Sequence, residues 1–112
     1  MLLVGDQLYG IAEGGVVHCW DIVDGNLRWR DRLTKGPESA SPILAGGHIY
    51  HANEDGKIFV VKPNSEKLEL VAENQLGDEI FATPVACRDQ ILFRVASYDG
   101  EERSETLYSI GF

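Results

Sequence analysis

One unit of about forty residues recurs through this chain, and it limits the possible folds more than any other property. Ala40-Ser41-Pro42 returns 42 residues later as Ala82-Thr83-Pro84. Asp6-Gln7-Leu8-Tyr9, Gly47-His48-Ile49-Tyr50 and Asp89-Gln90-Ile91-Leu92 fall in the same phase. Each unit holds short strand-like runs separated by glycine-rich turns. A period of this size, built from such runs, is the pattern of β-propeller blades, in which each small sheet buries its faces against its neighbours. The expected fold class is all-β. About three blades of four antiparallel strands are present, near residues 1–41, 42–83 and 84–112, the last lacking its outer strand.

The second unit is the clearest. Pro42 to Ala45 reads as a first strand, Gly46-Gly47 as a turn, His48 to Asn53 as a second strand and Asp55-Gly56 as a hairpin turn. Ile58-Phe59-Val60-Val61 is apolar at every position, as in a strand buried on both faces. Leu68 to Glu73 interleaves charges, as an outer strand does. The first unit repeats the plan with Leu2-Leu3-Val4, Gln7 to Ala12, Val16 to Asp21 and Asn26 to Arg32, turning at Glu13-Gly14-Gly15 and Asp24-Gly25. Thr34 to Ser39, with Gly36 and Pro37, leads to the next unit. In the third unit Val85-Ala86-Cys87, Gln90 to Ser97 and Thr106 to Ile110 read as strands, with Tyr98 to Glu105 as a charged insertion. No segment reads as a helix; Ser65 to Asn74 alternates as a strand does.

The net charge of −8 argues against nucleic acid or an anionic membrane as partner, since both demand a basic patch. No apolar run reaches the roughly 18 residues of a membrane span, so direct membrane insertion is not expected. Met1-Leu2-Leu3-Val4 stops at Gly5-Asp6, unlike a signal peptide. Cys19 and Cys87 have no C-x-x-C partner and are expected as two small buried hydrophobes.

The stretch Cys19-Trp20-Asp21-Ile22-Val23-Asp24-Gly25-Asn26-Leu27-Arg28-Trp29 carries a family resemblance. It is similar to the tryptophan-docking motif of pyrroloquinoline-quinone-like, or quinoprotein-type, propellers: Ala-x-Asp-x-x-Thr-Gly-Lys-x-x-Trp. Asp21, Gly25 and Trp29 match outright, and Cys19 stands for the small alanine. Asp24 replaces the threonine and Asn26 the lysine. The resemblance implies a structural docking motif of Cys19, Asp21, Gly25 and Trp29, the tryptophan girdling adjacent blades. The second unit departs from the motif, with Val60, Lys62 and Leu70 at the alanine, aspartate and tryptophan positions. The third has Ser109 and Gly111 at the first two. The group includes quinone-dependent dehydrogenases and the non-enzymatic scaffold lipoprotein of outer-membrane assembly, which suggests a bacterial, periplasmic setting.

Catalytic, cofactor and metal sites are all expected to be absent. The vicinal cysteines of many quinone-dependent dehydrogenases are missing. Glu54-Asp55 and Glu101-Glu102 fall in turns, where solvated carboxylates are ordinary. His48 and His51, three apart on one strand, point to opposite faces, and His18 reads as a packed core histidine. Gly14-Gly15 and Gly46-Gly47 precede no helix, so they are not phosphate loops. Met1 falls at the proline position of the repeat, and Phe112 closes a third strand. That register is expected of the C-terminal part of a larger propeller, or of copies that self-associate through open blade faces. The function expected is a non-catalytic, protein-binding scaffold. The alternatives are part of a quinone-dependent dehydrogenase, or a sensory propeller attached to a signalling module such as a kinase.

Overall fold

A computed structural model describes residues 1–12, 14–35 and 40–111. Eleven strands form among them: β1 (Leu2–Val4), β2 (Gln7–Ala12), β3 (Val16–Asp21), β4 (Leu27–Arg32), β5 (Ile43–Ala45), β6 (His48–Ala52), β7 (Lys57–Lys62), β8 (Glu69–Gln75), β9 (Val85–Cys87), β10 (Gln90–Asp99) and β11 (Glu102–Gly111). No helix appears among the described residues. Glu13, residues 36–39 with Gly36 and Pro37, and Phe112 lie outside them.

The strands build three antiparallel sheets in chain order: β1-β2-β3-β4, β5-β6-β7-β8 and β9-β10-β11. Strand contacts between sheets run through the innermost strands, β1 with β5 and β5 with β9. The sheets therefore fan from a common inner edge into an arc of 50 × 30 × 19 Å. This is blade geometry, with the third sheet one strand short.

Each gap between sheets holds its own core. Tyr9, Cys19, Ile49 and Val61 fill the first, with Trp29, Leu33 and Leu68 against them. Ala52, Ile58, Ile80, Ile91, Phe93 and Val95 fill the second, with Tyr50 and Leu76 packed on them. Strand β7 feeds both gaps, which is why it reads apolar without alternation: Val61 enters the first, Ile58 the second, and Phe59 is also buried.

Three expectations are corrected. Tyr98 to Glu105 is not an insertion between strands. Strands β10 and β11 run through it in unbroken register from Gln90↔Gly111 to Asp99↔Glu102. They turn at Gly100-Glu101, where Gly100 takes φ 65° and Glu101 does not take positive φ, the type II′ pattern. Ion pairs from Arg94 and Arg103 to Glu105 hold charges that a sequence reading assigns to a loop.

The second correction concerns Leu70. In the first sheet Cys19 faces Trp29, and a bulge follows at Trp20. In the second, Val60 faces Ala72, and the same bulge follows at Val61. The tryptophan position is thus filled by Ala72, while Leu70 pairs with Val61 and stays 46% exposed. Constant spacing misses this because the connection before β8 is longer than that before β4. Leu70→Ala is expected to cost less than about 1 kcal/mol in urea unfolding, as a surface position does. A loss of core magnitude would return Leu70 to the docking position.

Third, Cys19 is fully buried but Cys87 is exposed. Strand β9 is exposed throughout, since no further sheet packs on it among the described residues.

Candidate functional site

The motif residues lie on the seam between the first two sheets. Tyr9, Cys19 and Trp29 stand side by side across β2, β3 and β4. The rings of Tyr9 and Trp29 are 6.1 Å apart, tilted by 58°. Cys19, with no exposed surface, is paired across the sheet with both residues. A larger side chain there would push the rings apart, which is the physical reason for a small residue.

Both rings reach the backbone of Asn64, in the connection between β7 and β8. Trp29 Nε1 donates to the Asn64 carbonyl at 2.7 Å. The Asn64 amide donates to the Tyr9 hydroxyl at 3.0 Å, and that hydroxyl donates to Gln7 Oε1 at 2.6 Å. One residue of the second sheet is thus gripped at its amide and its carbonyl by two aromatics of the first.

Asp21 and Gly25 shape the turn that carries Trp29 into place. Asp21 Oδ1 accepts the Val23 amide at 2.8 Å, and its other oxygen lies 3.3 Å from Arg28. The Gly25 amide donates to the Asp21 carbonyl at 2.8 Å. Gly25 has φ 75° and open space where a Cβ would sit, so backbone conformation and not crowding calls for glycine. The structure therefore brings together all four motif residues, Cys19 and Trp29 in the seam, Asp21 and Gly25 at its rim.

Two further inter-sheet links escaped the sequence reading. Asn53, only 2% exposed, accepts the Asp55 and Lys57 amides through Oδ1 at 3.1 and 3.0 Å. Its Nδ2 donates to Thr34 Oγ1, on the connection leaving the first sheet, at 3.1 Å. The repeated Ala-Ser/Thr-Pro motif also links to itself: the Ser41 amide donates to Thr83 Oγ1 at 3.0 Å. The recurring hydroxyl was legible as punctuation, and its bond to the preceding repeat was not.

The histidines separate. His18 stacks on Trp20 at 5.2 Å and lines a cleft of about 520 Å³ with Met1, Gly10, Ala40 and His51. It is half-buried, not a core residue. His51 is buried, whereas His48 Nδ1 lies 3.3 Å from the Gly46 carbonyl on an exposed turn. Among the described residues no three metal-ligating side chains converge. Glu54 and Asp55 occupy a turn; Glu101 does too, and Glu102 opens β11.

Burial, and after it Cys19 beside the ring, pushes the Tyr9 hydroxyl from its ordinary value of 10.0 up to about 12. Burial likewise raises the Cys19 thiol, against smaller opposing effects of Tyr9 and Arg28. Neither group is poised as a nucleophile or base near neutral pH. A folded-state value above the unfolded one gives stability that is complete below pH 10 and lost as pH rises towards 12. The unfolding free energy read from urea titrations should fall across that window by on the order of 2 kcal/mol from this group. Tyr9→Phe should flatten that part of the profile, and an unchanged profile in the variant would place the titration elsewhere.

Small antiparallel sheets fanned about one inner edge, with aromatic rings docked across a seam between them, are β-propeller blades. No protein-family model matches the chain, and no curated protein does. Among solved structures it is similar to BamB from Moraxella catarrhalis, with a TM-score of 0.69 and 13% identity over 83% of this chain and 27% of that one. It is also similar to a europium-containing methanol dehydrogenase, with a TM-score of 0.65 and 18% identity over 87% of this chain and 22% of that one. The chain spans about a quarter of the length of these neighbours. At such identities the likeness is one of fold.

Proposed function

We propose that the chain is part of a non-catalytic propeller scaffold that binds another protein. The observation that carries this reading is the outer surface of the third sheet. Strand β11 is exposed along all ten residues, with Leu107 66%, Ile110 40% and Tyr108 37% exposed. Among the described residues this edge of large apolar side chains has no partner strand, and an edge of that kind takes up a further strand, whether of the parent or of another protein. The seam supports the same reading, since Tyr9, Trp29 and Asn53 are engaged in holding sheets together. The resemblance to a propeller group containing a non-enzymatic scaffold agrees with it.

A photo-crosslinking residue at Leu107 of the whole parent protein tests the proposal. Capture of one defined protein, competed away by unlabelled parent and absent when the crosslinker sits at the Asp24 turn, is the expected result. Crosslinks to no competable partner would overturn it.

The second reading is part of a quinone-dependent dehydrogenase, favoured by the fold likeness to the methanol dehydrogenase. Fold alone does not fix chemistry. Titrating the parent with pyrroloquinoline quinone and a metal ion, and following tryptophan fluorescence and dye reduction, separates the readings. Saturable quenching with substrate-dependent dye reduction would establish the enzyme.

A further inference from the structure

The sequence holds three Asp-Gly steps, Asp24-Gly25, Asp55-Gly56 and Asp99-Gly100. Asp-Gly is the dipeptide most prone to spontaneous isomerisation, because glycine leaves its amide nitrogen open to attack. In that reaction the Gly nitrogen bonds to the Asp side-chain carbon and one water leaves, giving a cyclic succinimide. Water then opens the ring. Opening at the side-chain carbonyl restores aspartate, and opening at the main-chain carbonyl leaves isoaspartate, whose backbone runs through the former side chain. One water leaves and one returns, and no oxidant is required.

The fold treats the three steps differently. At Asp24 the nucleophile and the electrophile are both held: the Gly25 amide donates to the Asp21 carbonyl at 2.8 Å, and Asp24 Oδ1 accepts the Asn26 amide at 2.8 Å. At Asp55 the Gly56 amide donates to the Asn53 carbonyl at 3.2 Å, and Gly56 is buried. The Asp55 amide and carbonyl are bound as well, by Asn53 Oδ1 at 3.1 Å and Gln75 Nε2 at 2.6 Å. Asp99 and Gly100 are both exposed at the tip of the β10–β11 hairpin. Among the described residues, neither the Gly100 amide nor the Asp99 carboxylate has a hydrogen-bond or ion-pair partner. A Cβ at Gly100 would meet nothing within 4 Å.

We infer that Asp99 is the isomerisation site of this protein, and that the fold protects Asp24 and Asp55. An isoaspartate there lengthens the backbone at the turn. It shifts the Asp99↔Glu102 register and loosens the adjoining Tyr98 amide, which Asp78 Oδ2 holds at 2.7 Å.

The test is incubation of the folded chain in heavy-oxygen water at neutral pH, with a urea-unfolded sample alongside. Asp-N peptide mapping, which does not cut at isoaspartate, reads each site. In the folded chain Asp99 should take up heavy oxygen at least about tenfold faster than Asp24 or Asp55, as bonds that must open before reaction imply. In urea the three rates should converge. Asp99→Glu, which disfavours the five-membered ring, should abolish the folded-state signal. Reaction of Asp24 or Asp55 as fast as Asp99 in the folded chain, or none at Asp99 while all three react in urea, overturns the inference.

Discussion

Trp29→Ala should destabilise the chain by about 3 kcal/mol, read as a lowered urea midpoint at constant slope. Truncation empties the place of a ring that closes the seam, packs against Tyr9 at 6.1 Å, and caps the Asn64 carbonyl at 2.7 Å. The ring is half-buried, which keeps the loss below that of a fully enclosed tryptophan. Trp29→Phe separates the two contributions. It keeps an aromatic in the seam and removes the indole donor, so its cost should be near 1 kcal/mol, that of one hydrogen bond. The Asn64 carbonyl would still lie 3.3 Å from the Tyr9 hydroxyl, which limits the penalty. The cost should rise when Tyr9 is already Phe, because the fallback donor to the Asn64 carbonyl is then gone. Strict additivity of Tyr9→Phe and Trp29→Phe would show that the two grips on Asn64 are independent.

The seam shows which parts of such a protein can be read from its sequence. Strand identity was legible because blade strands have strong local signals: apolar runs such as Ile58 to Val61, and glycine turns such as Gly46-Gly47. The placement of Trp29 was legible because motif spacing fixes a local turn, and Asp21 and Gly25 close that turn within a few residues. Its partner was not. Asn64 is gripped at its backbone, and a backbone contact leaves no mark on residue type. The same holds for Thr83, whose hydroxyl receives a backbone amide from the preceding repeat.

Asn53 was missed for a different reason. A buried asparagine beside a turn looks like ordinary turn chemistry, and its reach to Thr34 depends on how two sheets face each other. Ala72 was hidden by a bulge, since paired strands keep register only through the connection that joins them. Only the outer part of the β10–β11 hairpin, Tyr98 to Glu105, reads as an insertion in the sequence, because charge predicts exposure, and exposure is compatible with a strand whose charges pair across it.

Gly77→Ala should cost about 3 to 4 kcal/mol, comparable to or larger than the loss at Trp29, although it adds only one carbon. Gly77 lies between β8 and the segment that rides over the β10 hairpin. Here Asp78 and Glu79 donate amides to the Ala96 carbonyl at 2.8 and 3.0 Å, and Ala96 returns its own to Glu79 at 2.9 Å. These bonds draw the backbone down until nothing larger than hydrogen fits. A Cβ would collide with Val95 Cγ1, and would also approach Ser97 Oγ at 3.0 Å and the Ala96 carbonyl at 3.1 Å. Val95 is 1% exposed and packed among Ile80, Ile91 and Phe93, so it cannot swing aside. Gly77 also sits at φ 66°, where alanine costs roughly 1 kcal/mol before any clash. A double-mutant cycle separates collision from conformation. Val95→Ala should by itself cost about 2 kcal/mol as a core truncation. Combined with Gly77→Ala it should cost clearly less than the sum, because the new methyl enters the space the valine leaves. If the two losses simply add, the penalty at Gly77 is one of backbone conformation, and the close approach of the strap to β10 is not what selects glycine there.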